Sequence, residues 1–395
     1  MRLFSKKFYH RFFLIISNAV RQFSAQAVNI FVSMLIVKWY SNAMWGSFST
    51  YLYYTSIIVI VTGWGNREYL MREFSKAPSN MGRLFYSVLN ARWILLILAF
   101  IITFLLYPIG EAGIICLWIL ALHITQSLEV LLNYKRNYLS AMIIECGVFL
   151  LLIFYLYKVE IKQLYQLIAL YSCYHLLRSV GYIVLFRNEI KQPLFSTEPD
   201  YLKHAYVFFL LGIIGFLQSR IDFLIFTFFG NASDVGVYQV ISAYFILIHA
   251  VGTLIVLPFV KNIYRMTEHA VLLLQQRIVF AASILVLISL LFLYVLNTFI
   301  YHFELGAAVY LLGAAIVYPP YFYVIKIFQI YKYNQQKYVL QTGLIAILIN
   351  SVIAVILLTQ GNGITAVLIA SAVAQIYTAW SYHCFKLNKI TLPKD

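Results

Sequence analysis

Residues 202–229, LKHAYVFFLLGIIGFLQSRIDFLIFTFF, decide how the rest of the chain is read. The stretch contains no proline and exceeds the about 20 apolar residues that a helix needs to cross a bilayer. Arg220 and Asp222 then lie among membrane-crossing turns. There each costs roughly 2.5–3.5 kcal/mol on insertion scales and is normally kept beside a partner or a water-filled cavity. Two positions apart on a helix, they point to different sides, so each needs its own partner. The stretch sits near the middle of the 395 residues and opens a second half.

Working outward, 63% of the residues are hydrophobic, 11% are charged and the mean hydropathy is +0.83. That leaves too little polar surface for a soluble globule, so the chain reads as an all-α polytopic membrane protein. Windows of about twenty residues give twelve transmembrane helices, at 12–37, 48–65, 84–107, 112–132, 139–157, 164–186, 202–229, 235–260, 271–296, 305–330, 338–358 and 364–385. The basic N-terminus followed by an apolar run imitates a signal peptide. Arg21 and Gln22 interrupt that run, so the expectation is a retained first span.

The formal charge of +15 would suggest nucleic acid in a soluble chain. Here membrane orientation accounts for it, and no nucleic-acid partner is expected. One side collects Arg2, Lys6, Lys7 and Arg11; Arg67, Arg72, Lys76 and Arg83; Lys135 and Arg136; Arg187, Lys191 and Lys203; and the basic residues of the later alternate loops. The other side holds only Lys38, Lys158 and Lys162. Both termini are therefore expected in the cytoplasm. The longest loop, with Pro193 and Pro199, reads as a linker at 191–203 between lobes at 1–190 and 204–395.

A weak repeat supports that division. Trp45-Gly46-Ser47-Phe48, with Tyr54 six residues beyond Phe48, recurs as Val235-Gly236-Val237-Tyr238, with Tyr244 six beyond Tyr238. Six spans separate the copies, so the halves are parallel repeats. The fold expected is two parallel six-helix lobes around a central cavity.

In the first span Asn18, Arg21, Gln22, Gln26, Asn29 and Ser33 recur at helical steps and form one polar face. Lipid cannot hydrogen-bond these amides, so they serve either as interhelical glue or as cavity lining. Gln218 and Asp222 make a shorter stripe in the seventh span. Arg21, Arg92 and Arg178 lie about 13 Å from the cytoplasmic ends of their spans. They either snorkel to the headgroups or form a cationic belt that an anion enters, with Arg220 deeper. Glu129 and Glu145 stand near Lys135 and Arg136, their nearest partners along the chain. Asp222 and His249 are candidates for coupling to an H+ or Na+ gradient. The four cysteines fall in apolar runs without metal-ligand spacing and read as packing residues. Neither a metal site, a cofactor nor a catalytic residue is expected, so the chain reads as a transporter rather than an enzyme.

These features resemble the oligosaccharide flippase (Wzx-type) branch of the multidrug/oligosaccharidyl-lipid/polysaccharide exporter superfamily. The resemblance rests on the polar first span, Trp45-Gly46-Ser47-Phe48, Gly63-Trp64-Gly65 with Arg72, Arg220-Ile221-Asp222, Gly230 and Gly236-Val237-Tyr238. Residues 41–44 replace the Gly-Pro usual before the first glycine–aromatic pair. The resemblance implies two lobes with alternating access. They would move a polyprenyl-diphosphate-linked oligosaccharide, an O-antigen, capsule or exopolysaccharide repeat unit, across a bacterial inner membrane. A polysaccharide polymerase and a chain-length regulator are the implied partners, besides membrane lipids. Two rivals remain: a cation-coupled multidrug exporter of the same fold, and a membrane polysaccharide polymerase or glycosyltransferase. The drug exporter needs an acidic cavity, and the enzyme a large outer loop.

Overall fold

A computed structural model describes residues 6–190, 200–256, 263, 268–333 and 335–385, with the side chains of 6–15, 19, 22–27, 253–255, 268 and 332 excepted. The elements among these residues are helical: α1 (Lys6–Trp39), α2 (Asn42–Gly63), α3 (Asn66–Lys76), α4 (Met81–Leu106), α5 (Ile109–Lys135), α6 (Tyr138–Lys158), α7 (Leu164–Leu185), α8 (Tyr201–Phe229), α9 (Ala232–Val256), α10 (Glu268–Leu296), α11 (Ala307–Val317), α12 (Pro320–Lys332), α13 (Gln336–Thr359) and α14 (Gly363–Cys384). Among the described residues ten segments are long and apolar enough to cross a membrane, and they coincide with the last ten predicted spans. The first two predicted spans correspond to α1 and α2.

Two departures from the predicted spans have local causes. The run at 305–330 is two helices, α11 and α12. Pro319 and Pro320 supply no N–H to the ladder, and their rings crowd the preceding turn. Between the second and third spans lies α3, too short and too charged to cross. Its Glu73 accepts from Arg72 at 2.8 Å and Lys76 at 2.9 Å. Burial favours the neutral acid, but these cations outweigh it and hold the carboxyl below its ordinary range.

The chain divides into two compact units, Met1–Val32 with Ser47–Ile213, and Ser33–Gly46 with Ile214–Asp395. Of the predicted linker, residues 191–199 lie outside the described residues. In the first unit α7 packs along α5 and against α6. Its core joins Phe74, Val88, Leu128, Leu131, Tyr182 and Tyr201, all buried. The Gly63-Trp64-Gly65 motif makes the corner between α2 and α3. Trp64 and Gly65 both have positive φ, 43° and 67°, which is unusual for an aromatic residue and needs anchoring. Trp64 donates Nε1–H to the Leu202 carbonyl at 2.8 Å and stacks on Phe209 at 4.0 Å. The Tyr201 hydroxyl donates to the Trp64 carbonyl at 2.9 Å. A Cβ on Gly65 would lie 2.8 Å from the Phe209 amide, so only glycine fits.

In the second unit α14 packs along α13 and α11. The repeated glycines meet there: a Cβ on Gly46 would strike the Ala232 carbonyl, and one on Gly236 would strike the Asn42 carbonyl. Missing side chains let the first turns of α2 and α9 touch backbone to backbone, the close approach that small residues permit between membrane helices.

Candidate functional site

Two polar clusters are set in otherwise apolar surroundings, one in each unit. In the first, α1 contributes Arg21, α5 Glu129, α6 Glu145 and α7 Arg178. Arg178 Nη2 lies 2.8 Å from Glu129 Oε1 and 2.9 Å from Glu145 Oε1. Arg21 Nη1 lies 3.8 Å and 3.9 Å from the same two oxygens. The Tyr182 hydroxyl donates to Glu145 at 2.5 Å, and Tyr138 and Tyr182 present ring faces to Arg21 and Arg178 at 6.0 Å and 5.6 Å. Two guanidiniums and two carboxylates balance in charge, which makes burial tolerable: either pair member alone would be left desolvated.

The glutamates therefore pair with arginines from other helices rather than with their sequence neighbours. Lys135 instead pairs with Glu189. Burial grades the cluster. The Glu145 side chain is 3% exposed and Arg178 11%, while Glu129 is 27% exposed and forms the open edge. Asn18 belongs here too, accepting from Arg21 Nη2 at 3.4 Å. Asn29 is half-buried, whereas the side chains of Gln22 and Gln26 lie outside the described residues.

Arg92 stands apart. It is fully buried and donates to Ser127 Oγ at 2.7 Å. Ser127 in turn donates to the His123 carbonyl.

The second cluster surrounds Asp222 on α8. Its carboxylate accepts from the Tyr238 hydroxyl, from Ser371 Oγ at 2.8 Å and from the Phe223 amide at 2.7 Å. Asn350 Nδ2 donates to Ser371 at 3.3 Å, leaving its Oδ1 buried without a partner among the described residues. Arg220, pointing elsewhere as the helical period requires, donates to Gln239 Oε1 at 3.4 Å. Gln218 reaches Thr378 at 3.4 Å.

A small cavity of about 50 Å³, lined by Gln218, Asp222, Tyr238, His249, Asn350 and Ser371 among others, opens beside Asp222. It has room for water or a desolvated cation. His249 also borders a second cavity of about 230 Å³ walled by Gly252, Pro320, Tyr323, Phe328 and Tyr331. The structure thus adds Tyr182, Tyr238, Asn350 and Ser371 to the residues singled out from sequence. Of these, Tyr238 carried a sequence signal, as the aromatic of the second repeat. Asn350 and Ser371 are common polar residues in apolar runs and carried none.

No protein-family model matches the chain, and no curated protein matches it. Solved structures do. One is a lipid II flippase, MurJ, in an inward closed conformation, with TM-score 0.61 and 14% identity over 93% of this chain and 86% of that one. Another is the MATE transporter ClbM in complex with Rb+, with TM-score 0.52 and 12% identity over 95% of both chains. At such low identity the likeness is one of fold: the chain is a multi-pass helical membrane protein with the fold of these two transporters.

Proposed function

We propose that the protein is a flippase for a polyprenyl-diphosphate-linked oligosaccharide, moving it from the cytoplasmic to the outer leaflet by alternating access of two six-helix lobes. The observation that carries this reading is the convergence of Arg21 and Arg178, from helices distant in sequence, on the same two carboxylate oxygens. A diphosphate offers these guanidiniums the same charge-assisted bonds as Glu129 and Glu145. Exchange of carboxylate for phosphate keeps the arginines paired, and the released glutamates must be met by water admitted with the load. Glu129, the exposed member, lies six residues or about 9 Å from the end of α5, so the anion approaches from that side. Arg220 is the candidate for the later contact, and Arg92 supports the electrostatic field from behind Ser127.

Transport proceeds only if the load binds the two states unequally. Coupling to a gradient is assigned to Asp222. The oxygen atoms of Asp222, Ser371 and Asn350 suit a hard monovalent cation. Protonation of Asp222, with Tyr238 and Ser371 rearranging their hydroxyls, serves equally for H+. The reading places the chain in a bacterial inner membrane with both termini cytoplasmic, beside a polysaccharide polymerase and a chain-length regulator, and assigns it transport without bond-making. A cation-coupled drug exporter is the second reading, favoured by the aromatic cavity beside His249.

The test is deletion of the gene with assay of surface polysaccharide and of lipid-linked oligosaccharide on the inner leaflet. Loss of surface glycan with inner-leaflet accumulation, restored by wild type and poorly by inserted Arg220→Ala or Arg178→Gln, is expected. Intact surface glycan with heightened sensitivity to cationic drugs would overturn the flippase in favour of the exporter.

A further inference from the structure

A third cavity belongs to neither cluster. It is an apolar groove of about 460 Å³ between α6 and α7, floored by Val148, Leu152 and Tyr174 and flanked by Leu151, Phe154 and Leu177. The floor is buried, whereas Leu151, Phe154 and Leu177 are 57%, 61% and 50% exposed. The groove therefore lies open along the outside of two membrane-crossing helices. Cys173, predicted to be a packing residue, is exposed on its wall. Small Ala169 leaves the space that a larger residue would fill.

Its length identifies what fits. The lining runs from Val148 along α6 to Val159 just past its end, and from Tyr165 to Leu177 on α7, about 16–18 Å at the helical rise. That is about half of a 30 Å hydrocarbon core, the depth of one leaflet. A single acyl chain has that reach, whereas a polyprenyl tail is far longer. The groove ends at the α6–α7 turn, where Lys158, Glu160 and Lys162 stand exposed. Lys162 pairs with Glu160 at 3.6 Å. Lys158 has no carboxylate within ion-pair distance among the described residues and sits 5.8 Å over the Tyr157 ring. The turn thus carries one net positive charge at the depth of the lipid phosphates.

We infer that this groove is a phospholipid site, holding one acyl chain of an anionic phospholipid whose phosphate meets Lys158 and Lys162. One net lysine charge at a membrane surface gives about a fivefold preference for an anionic headgroup. The site is separate from the transport reading and stands or falls without it.

The full chain, reconstituted in phosphatidylcholine nanodiscs, would be photo-crosslinked with trace diazirine-acyl phosphatidylglycerol or diazirine-acyl phosphatidylcholine and mapped by mass spectrometry. Adducts are expected to concentrate on peptides covering 148–177, about fivefold more with the anionic lipid. Lys158→Gln, at the surface, brings the turn to zero net charge and should abolish that preference, lowering the phosphatidylglycerol adducts to the phosphatidylcholine level. Ala169→Trp should lower groove adducts several-fold while those on the exposed face of α10, around Phe280 and Leu287, stay unchanged and report an intact fold. Equal adduct density on the groove and on α10 for both lipids would refute the site, as would an Ala169→Trp groove that labels like wild type. Displacement by polyprenyl phosphate but not by unlabelled phosphatidylglycerol would reassign the groove to an isoprenoid tail.

Discussion

The Arg21–Glu129–Glu145–Arg178 cluster makes a quantitative claim: its members stabilise the first unit as one object. Arg178→Gln removes two charge-assisted bonds, at 2.8 Å and 2.9 Å, leaving Arg21 at 3.8–3.9 Å from both glutamates. Loss of one partner from a buried ion pair costs about 3–5 kcal/mol. The partial exposure of Glu129 places the expectation at the lower end, about 3 kcal/mol. Glu145→Gln keeps an acceptor for Tyr182 but leaves two guanidiniums facing one carboxylate, costing about 1–3 kcal/mol. In the double variant neither lost partner strands the other, so the sum of the single effects should exceed the double by about 1–2 kcal/mol. Thermal unfolding of the purified proteins in one detergent reads this as a midpoint difference, at about 2–4 °C per kcal/mol for a unit of this size. Arg178→Gln should fall by roughly 6–12 °C on that scale, and the double variant should fall by less than the two singles together. Additivity within about 0.5 kcal/mol would show that the four side chains do not act as a unit, and the exchange of carboxylate for diphosphate would lose its basis.

Other outcomes follow from the second unit. Gly46→Ala and Gly236→Ala each press a methyl onto backbone that cannot rotate away. Each should cost at least about 1–3 kcal/mol and lower the monodisperse fraction after heating, whereas Gly147→Ala, whose Cβ meets nothing within 4 Å, should be neutral or stabilising; equal behaviour of all three would dismiss the close contact. Asp222→Asn should abolish the dependence of transport on an imposed H+ or Na+ gradient in proteoliposomes, and the gradient that drives wild type identifies the ion. A variant with wild-type gradient dependence excludes Asp222 as the coupling group. Tyr238→Phe removes a hydroxyl bonded to that carboxylate and should destabilise the protein by about 1.5–3 kcal/mol, read by the same thermal assay; an unchanged midpoint would show the bond to be dispensable.

Helical period alone separated Arg220 from Asp222, and the structure gives them different partners, Gln239 for one and Tyr238 with Ser371 for the other. Composition and window hydropathy sufficed for the last ten spans, because lipid imposes the same apolar requirement on each of them. Averaging over a window also hid the break at Pro319-Pro320, since a hydropathy sum does not register a missing N–H. The arginines show where sequence reasoning stops. Rise per residue fixes how deep Arg21, Arg92 and Arg178 lie, but the direction each faces is set by the helices packed around it. Depth alone suggested a common belt; direction brings Arg21 and Arg178 to shared carboxylates and turns Arg92 to Ser127. The same applies to Glu129. Lys135 is near it along the chain, yet six residues turn a helix through about 600°, and the two side chains leave on different sides. Arg136, seven residues on, lies past the last turn of α5 with φ 58° and about 10 Å further along the axis. Only a helix crossing at the level of Glu129 could supply its cation, and α7 does so with Arg178. Buried charge in a membrane is thus predictable from sequence as a demand for a partner, while the partner is chosen by packing between segments far apart in the chain.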